Sequence, residues 1–376
     1  MKRSKLLSIQ ELQKAMVKIP EKRRVTYGNY RHRLTDVLIL CLLAVICGCE
    51  TFREIHEFGM AKEGFLRMHL TLGFGIPSIT SLRRILGSVE PEELESVYRQ
   101  WVAPYLGTCL GKQVCVDGKS VCGASTTDEK LHLVSAWVRE DGITMGQLRT
   151  HAKSNEITAI PALLNDLSIQ HSVVTIDAMG CQKKIAETIL GKEANYLLAV
   201  KGNQPTLFEE VKDYFDWALE DSIERHHLDE YRQTDYEHGR TVHYHVISTQ
   251  DVVWFEDIRD WPGLKAFVMV ERTREVKGVT STEKAYYISS LVADAKSFAQ
   301  WVRGHWGIEN SLHWVMDVQF HEDDCMIRSG NAPENLSILR KMAHNLLKRL
   351  KSKDDSFRRL QLRAGWDNHF LLRIFS

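Results

Sequence analysis

The sequence predicts a mixed α/β protein in which helices pack on a central sheet, preceded by a helical N-terminal region. Short β-branched segments alternate with amphipathic helical segments between residues 111 and 205, and further strand-like segments begin near residues 265 and 284. Before residue 110, apolar residues instead recur at helical spacing. With 376 residues and 44% hydrophobic content, the chain can bury a sizeable core and has the composition of a globular protein.

The first 110 residues are predicted to form a helical N-terminal domain that binds DNA. The longest apolar run covers residues 37–47, about half of the roughly 20 residues that a membrane span needs, so it predicts a buried helix. A turn at residues 75–78 precedes a helical segment that carries Arg83 and Arg84. This helix pair is either a helix-turn-helix DNA reader or part of an ordinary helical bundle.

Residues 111–205 and 263–350 are predicted to form one α/β catalytic domain, interrupted by the polar, histidine-rich residues 206–262. The predicted strands span 113–118, 131–138, 143–150, 172–177, 196–200, 265–272 and 284–291, and the predicted helices span 156–167, 182–190, 293–318 and 333–351. A tight turn at 140–142 makes the second and third strands a hairpin. We interpret residues 206–262 as an inserted subdomain and residues 351–376 as a basic C-terminal tail.

The charge of the chain is balanced overall but unevenly distributed. Lysine plus arginine equals aspartate plus glutamate at 49 each. Residues 1–33 contain ten lysines and arginines against two glutamates, and residues 328–376 contain eleven against four acids, giving local net charges of +8 and +7. Two basic ends are consistent with a protein that binds phosphates there. Ordinary solvated tails would have the same charge pattern.

The eight cysteines show no paired C-x-x-C spacing, and several lie in apolar segments. This pattern favours free thiols in a reducing cytoplasm over a disulfide framework or a zinc site. The basic N-terminus is not followed by an apolar segment with a signal-peptide cleavage pattern. We therefore expect a soluble, cytoplasmic protein without a membrane partner.

Two aspartates stand at the predicted ends of strands, 60 residues apart: Asp117 and Asp177. Alone, an aspartate at a strand end is more often a turn or cap residue. Together with an acid on a later helix, such a pair matches the needs of two-metal phosphoryl transfer, because Mg²⁺ prefers carboxylate oxygens and a metal pair can activate the attacking hydroxyl and stabilise the departing oxygen.

The third acid is Glu309, within a tryptophan- and histidine-rich segment at residues 301–314. On an α-helix, His305, Glu309 and His313 are successive i+4 neighbours and share one face. Their spacing differs from that of zinc peptidase helices, so a magnesium ligand at Glu309 fits better than a zinc site. Asp317 is a secondary candidate if the helix continues.

Six motifs occur in an order that closely resembles one known family. They are Val-Asp-Gly-Lys at 116–119, Lys-Ser-Asn-Glu-Ile-Thr-Ala-Ile-Pro at 153–161, Thr-Ile-Asp-Ala-Met-Gly-Cys-Gln at 175–182, Lys-Gly-Asn-Gln-Pro at 201–205, His-Trp-Gly-Ile-Glu-Asn-Ser-Leu-His-Trp at 305–314 and Asn-Ala-Pro-Glu-Asn-Leu at 331–336. The chain resembles the H-repeat-associated family of bacterial insertion-sequence transposases over nearly its whole length. That family uses a DDE triad on a ribonuclease H-like fold, which implies a ribonuclease H-like mixed sheet flanked by helices.

The resemblance implies that Asp117, Asp177 and Glu309 are the catalytic residues and metal ligands, with Mg²⁺ or Mn²⁺ as the cofactor. It also implies cleavage at the element ends, joining of the 3′-hydroxyl to target DNA, and a homo-oligomer on paired ends. The DNA partners are the double-stranded terminal inverted repeats and the target. Related transposases carry a Tyr-x2-Arg-x3-Glu-x6-Lys signature around the glutamate. This chain has Val302, His305 and Met316 at the other positions, so Arg303 and His305 are our substitutes for handling the DNA end.

Further DNA contacts are predicted at Lys119, Lys201, Asn203, Arg240 and His313. Lys119 is either a phosphate contact or a lysine whose charge partner lies elsewhere in the fold. Lys201 and Asn203 could touch phosphate near the catalytic edge or form an ordinary turn. Arg240, in the sequence His-Gly-Arg at 238–240, could hold DNA within the insertion.

Three other functions would share many of these features. A metal-dependent nuclease would have the same triad without joining DNA. A DNA-binding relic of a mobile element would have lost catalysis. A small-molecule phosphohydrolase would need neither basic ends nor a helical N-terminal domain.

Overall fold

A computed structural model describes residues 8–24, 30–123, 131–150, 156–224, 226–237, 240–255 and 260–375. The side chains of Tyr105 and Glu237 are also outside this description. Residues 153–155 of the second family motif, and His238 and Gly239 beside Arg240, lie outside the described residues.

The N-terminal region is helical, as predicted. Its helices are α1 (Ile9–Met16), α2 (Leu34–Ile46), α3 (Phe52–Ala61), α4 (Glu63–Leu66), α5 (Ile79–Gly87) and α6 (Pro91–Leu106). The apolar run forms α2, which is buried from Val37 to Ile46. A capping box between Thr51 and Glu54 begins α3. In the part of the chain that the structure describes, none of the helices has the length and apolarity that crossing a membrane requires.

A nine-stranded mixed sheet forms the centre of the molecule, in the order β3-β2-β1-β4-β5-β9-β8-β7-β6. The strands are β1 (Gln113–Val121), β2 (Leu131–Val138), β3 (Ile143–Thr150), β4 (Val173–Ile176), β5 (Asn195–Val200), β6 (Asp229–Glu237), β7 (Arg240–Thr249), β8 (Ala266–Val276) and β9 (Val279–Ser289). The pairs β1–β4 and β4–β5 are parallel, and all other neighbours are antiparallel. The order and directions of β1–β5 are those of a ribonuclease H-like sheet, as predicted.

Helices flank this sheet. They are α7 (Glu156–Asn165), α8 (Lys183–Gly191), α9 (Pro205–Asp221), α10 (Ala295–His305), α11 (Trp314–Gln319), α12 (Ala332–Leu350), α13 (Phe357–Trp366) and α14 (Asn368–Arg373). Apolar residues of α10, including Phe298 and Val302, pack on β7 and β8. The predicted hairpin β2–β3 is confirmed, and Gly142 in its turn has a positive φ of 66° that favours glycine.

The strands of the predicted insertion do not form a separate sheet. Within residues 206–262, β6 and β7 extend the main sheet, because β7 pairs with β8 along ten residue pairs from Arg240 to Thr249. The C-terminal region is also folded: α13 and α14 bury Phe357, Leu360, Phe370 and Leu371. The domain limits that we drew from the sequence stay predictions.

Helix α12 links the N-terminal helices to the sheet. Its side chains are buried almost throughout, including polar and charged ones. Asn345 donates to the Tyr98 hydroxyl of α6 at 2.8 Å and to the carbonyl of Thr144 on β3 at 2.9 Å. A buried polar side chain that satisfies partners on two elements fixes their relative position.

Candidate active site

Strands β1 and β4 bring the two aspartates together. They run parallel, and the last pair in their register is Val116 with Ile176. Asp117 and Asp177 are the next residue on each strand, so both carboxylates stand where the parallel pairing ends. The predicted end of β1 at this point is wrong: β1 continues to Val121, because β2 keeps pairing with it.

A cavity of about 570 Å³ opens at this end of β1 and β4. We call it the acidic cavity because all three predicted carboxylates, Asp117, Asp177 and Glu309, line it. Its other charged and aromatic lining residues are Lys201, Arg272, Glu283, Lys284, Tyr286, Tyr287, His305 and Trp306. Asp177 and Glu309, which lie 60 and 192 positions beyond Asp117 in the sequence, therefore meet it in one concave site.

Burial and neighbouring acids disturb the titration of Asp117. Burial, together with the charges of Asp177 and Glu309, raises the pKa of its carboxyl to about 7, while a hydrogen bond from the backbone of Gly118 opposes the rise. Asp177 is positioned by its own turn, where its Oδ1 accepts from the N–H of Met179 at 3.1 Å. The site thus concentrates negative charge where it is poorly solvated.

The segment that carries Glu309 is not a regular α-helix. After α10 ends at His305, residues Glu309–His313 form a π-helical turn, and α11 starts at Trp314. Single π turns inside helices are frequent at functional sites. The predicted continuous helix is therefore interrupted, yet His305 and Glu309 both line the acidic cavity and His313 lies beside Asp117.

Both histidines are uncharged at neutral pH. Burial lowers the pKa of His305 to about 4, against the effect of its contact with Thr175, whose Oγ1 lies 3.0 Å from His305 Nδ1. Burial lowers the pKa of His313 to about 3, helped by the charges of Lys341 and Lys119. His313 Nδ1 lies 3.5 Å from Asp117 Oδ2, so His313 contacts the Asp117 carboxylate instead of lining the cavity.

A buried pair behind Asp117 was missed by the sequence reasoning. His132 Nε2 on β2 lies 2.5 Å from Glu156 Oε1 at the start of α7, and its Nδ1 lies 2.9 Å from Ser120 Oγ. A Cβ on Gly118 would come within 2.6 Å of the Glu156 carboxyl carbon, so glycine gives this pair its room. No sequence signal links residues on separate elements in this way, since only the fold sets their distance.

Lys119 has its charge partners within the protein. Its ammonium contacts Asp317, lies 3.0 Å from Glu322 Oε2 and lies 3.4 Å from Asp323 Oδ1. Burial opposes the charged form, but these carboxylates, Glu322 foremost, still raise the pKa of Lys119. Of the two predicted roles, its contacts match a lysine paired elsewhere in the fold, and Asp317 acts as one of its partners.

The segment after β5 reaches the acidic cavity through Lys201, which is exposed and lines it. Asn203 does not line the cavity; its Nδ2 donates to the carbonyl of Ala178 at 2.6 Å. This hydrogen bond ties the segment to the residue directly after Asp177. The turn predicted at residues 201–204 is confirmed, and the DNA contacts stay predictions.

Arg303 and Arg240 lie outside the acidic cavity. Arg303 forms an ion pair with Asp235 of β6, and its guanidinium carbon lies 4.9 Å from the centre of the Tyr244 ring. Arg240 opens β7, and both arginines line a second cavity beside the first. Arg272 and Trp306 line both cavities; Trp306 belongs to the family motif at 305–314, whereas Arg272 carried no sequence signal because its neighbours come from distant elements.

The donor set of the acidic cavity fits a hard divalent cation. Carboxylates are the preferred ligands of Mg²⁺ and Mn²⁺, and no cysteine lines the cavity. The eight cysteines are all free thiols, as predicted. Among the described residues, no three histidine, cysteine or acidic side chains already converge as a complete metal site.

The DDE class of phosphoryl-transfer proteins is defined by its fold and by three acids. The fold has a ribonuclease H-like sheet, two aspartates stand at strand ends, and a glutamate comes from a following helical segment. The chain belongs to the transposase DDE domain family, whose model matches residues 110–346. A second model, described as DDE_Tnp_1-associated, matches residues 14–102.

Relatives with full-length similarity support the same assignment. The chain is 36% identical over 377 residues to "Putative transposase YncI" of Escherichia coli O157:H7, a match that covers 98% of this chain and 95% of that protein. It is 32% identical over 378 residues to "H repeat-associated putative transposase YhhI" of Escherichia coli strain K12, covering 98% and 99%. The predicted H-repeat-associated family is thereby confirmed.

Proposed function

We propose that this transposase-family chain is an active enzyme that cuts DNA at the ends of an insertion sequence and joins the freed 3′-hydroxyls to target DNA. The observation that carries the proposal is the convergence of Asp117, Asp177 and Glu309 on one cavity. The reaction consists of two in-line phosphoryl transfers. In the first, water attacks the phosphorus at the element end and the bond from phosphorus to the 3′-oxygen breaks, which frees the 3′-hydroxyl. In the second, that hydroxyl attacks a target phosphorus and displaces the 3′-oxygen of the target strand. No covalent enzyme intermediate forms.

Asp117, Asp177 and Glu309 would hold two Mg²⁺ ions, with Mn²⁺ as a substitute. Such a metal pair supplies activation of the attacking oxygen and stabilisation of the leaving oxygen. The charges of Asp177 and Glu309 help to raise the pKa of Asp117, and bound cations would neutralise this repulsion among the three acids.

Neutral His305 would donate or accept one hydrogen bond in the cavity, with Thr175 fixing its ring. His313 would orient the Asp117 carboxylate from behind. Lys201 and Lys284 are exposed cations that line the cavity, but Lys284 pairs with Asp216 at 2.9 Å, so we propose Lys201 as the phosphate contact. Two copies on paired double-stranded DNA ends would complete the assembly, with the N-terminal helices and Arg83 and Arg84 of α5 as further DNA contacts.

The experiment is a Mg²⁺-dependent cleavage and strand-transfer assay on labelled DNA that carries the ends flanking this gene. Wild type is compared with Asp117→Ala, Asp177→Ala and Glu309→Ala, each expected to lose at least roughly 10³-fold in rate while still binding DNA. Asp324→Ala is the matched control, because this acid is 81% exposed and lies outside the cavity.

Each outcome has a distinct meaning. Joined products from wild type that disappear in the three variants support the transposase. Cleavage without joining identifies a nuclease, and DNA binding without chemistry identifies a silent relic. Cleavage or joining that survives in Glu309→Ala would show that the third catalytic carboxylate is not Glu309.

A further inference from the structure

A second cavity adjoins the acidic cavity and has the opposite charge. It encloses about 680 Å³, and its lining includes Arg139, Arg240, Arg272, Arg274, Arg303 and Lys348 against only Glu140 and Asp235. We call it the basic cavity. Arg272 and Trp306 line both cavities, and the guanidinium carbon of Arg272 lies 4.8 Å from the centre of the Trp306 ring. One arginine–tryptophan pair therefore forms the partition between them.

The outer part of the sheet builds one wall of the basic cavity. Arg272 and Arg274 are two residues apart on β8, so they share a face of the sheet. Opposite them on β7, Tyr244 pairs with Arg272 and Val242 pairs with Arg274. Strand β8 thus brings Arg272 and Arg274 next to the acidic cavity, and β7, which lies within the predicted insertion, adds Arg240.

The positive charge of the basic cavity is only partly compensated. Arg303 pairs with Asp235, and Arg272 donates to Glu283 at 2.8 Å. Among the side chains that the structure describes, no carboxylate forms an ion pair with Arg240 or Arg274.

Arg139 and Lys348 also line the basic cavity, and neither forms an ion pair with a carboxylate among the residues that the structure describes. Arg139 donates to the neutral amide oxygen of Gln113 at 3.4 Å. Lys348 lies over Gly142, where burial and the charge of Lys351 lower its pKa. Cations without acidic partners that face one cavity create a positive potential there, which attracts a polyanion.

We propose that the basic cavity binds the phosphates of the DNA strand that continues from the reacting phosphodiester, with Arg240 and Arg274 as direct phosphate contacts. This inference rests on the proposed function, because the acidic cavity must hold the reacting phosphate. Phosphodiesters give the strand its charge, and guanidinium groups bind them in a fork geometry. Trp306 at the partition offers an aromatic face to a base or sugar of that strand.

The first test measures DNA affinity against salt concentration for Arg240→Ala, Arg274→Ala and the double variant. Each substitution is expected to weaken binding on the order of tenfold. Each should also reduce the magnitude of the slope of log K, where K is the DNA association constant, against log salt by about 0.9, since one phosphate contact is lost. The Arg240→Lys and Arg274→Lys variants should recover much of the salt slope, because they keep the charge.

The matched control is Lys265→Ala, an exposed cation that precedes β8 at the end opposite Arg274. It should leave affinity and salt slope unchanged. Urea unfolding midpoints equal to wild type for all variants would exclude a folding defect. If the double variant keeps wild-type affinity and slope, the basic cavity does not bind DNA and the inference is overturned.

The second test locates the bound phosphates with single methylphosphonate substitutions, which remove one backbone charge each. Positions beside the scissile phosphate should weaken wild type but leave the double variant unaffected. Placing the substitutions in the element-end strand or in the target strand tells which of the two occupies the cavity. Equal losses for wild type and double variant at every position would overturn the assignment.

The two proposals can fail separately. Wild-type protein that cuts and joins DNA while the arginine variants behave normally would refute the basic cavity alone. Wild-type protein that binds through these arginines without any chemistry would refute catalysis and leave the basic cavity in place.

Discussion

Strand β1 carries two charged residues with opposite surroundings. Asp117 and Lys119 are two residues apart on β1 and so share a face of the sheet. Burial and the charges of Asp177 and Glu309 raise the pKa of Asp117 to about 7. Glu322, a partner of Lys119, is buried too, but Lys119, Lys341 and Arg340 lower its pKa to about 2.

The two sets of charges, one around Lys119 and one around Asp117, have different roles. Around Lys119 the buried charges are matched within the protein, so they link β1 to α11 and the segment after it. Around Asp117 like charges face a cavity, an arrangement that costs stability and persists at sites that bind something from outside. Uncompensated charge therefore marks the proposed catalytic site, and compensated charge marks the structural cluster beside it.

The largest effect that would sharpen this comparison is expected from Glu322→Gln. The substitution leaves Lys119 and Lys341 in buried positions without their main counter-charge, and breaking a buried pair in this way costs about 3–5 kcal/mol. Chemical unfolding at pH 7 measures the loss. Asp324→Asn, at an exposed position nearby, should stay within about 0.5 kcal/mol of wild type.

If Glu322→Gln lowers the free energy of unfolding by less than about 1 kcal/mol, the Glu322 carboxylate is not the main counter-charge of Lys119 and Lys341. The lowered pKa of Glu322 adds a pH test. The stability it contributes is fully present above its unfolded pKa of 4.5 and is lost as pH falls towards about 2. Wild type should therefore lose stability over pH 4.5–2 more steeply than Glu322→Gln.

A smaller effect is expected from Gly118→Ala, at the residue between Asp117 and Lys119. The added Cβ would come within 2.8 Å of His132 Nε2 and closer still to the Glu156 carboxylate. Displacing this buried pair should destabilise the protein by about 1–3 kcal/mol. The control is Gly202→Ala, where a Cβ meets no atom within 4 Å; equal unfolding free energies for the two variants would contradict the packing argument.

The smallest effect is expected from Asp117→Asn in metal-free buffer, and it has the opposite sign. The folded pKa of about 7 lies above the unfolded value of 3.8. The Asp117 carboxyl therefore lowers the free energy of unfolding of wild type increasingly as pH rises from 4 to 7. The variant should be more stable than wild type by about 1–2 kcal/mol at pH 8, an amount below the roughly 4 kcal/mol that the full shift would give.

Thermal unfolding at pH 8 and pH 4 tests this prediction, since the gain should disappear at the lower pH. Adding Mg²⁺ should stabilise wild type and leave Asp117→Asn largely unaffected, because a ligand stabilises only the state that binds it. A variant less stable than wild type at pH 8 would show that Asp117 serves the fold.

Much of the fold could be predicted because the pattern of each element is local. The hairpin β2–β3, the helix α12 and the buried α2 follow from alternation, helical spacing and an apolar run. The extension of the sheet by β6 and β7 could not be predicted, because their polar sequences give no signal for the strand they join. The π-helical turn at Glu309–His313 was missed for a similar reason: packing selects it over the regular helix.

By itself, the sequence determined the family, through its six motifs, and the side chains that we propose as catalytic: two aspartates after β-branched segments and a glutamate among histidines and tryptophans. Only the tertiary structure decided their surroundings. It gave Lys119 its acidic partners, put His313 beside Asp117, and set the arginines of β7 and β8 next to the acidic cavity. The physical reason is that a charge depends on neighbours and burial, and both come from residues far apart in the chain.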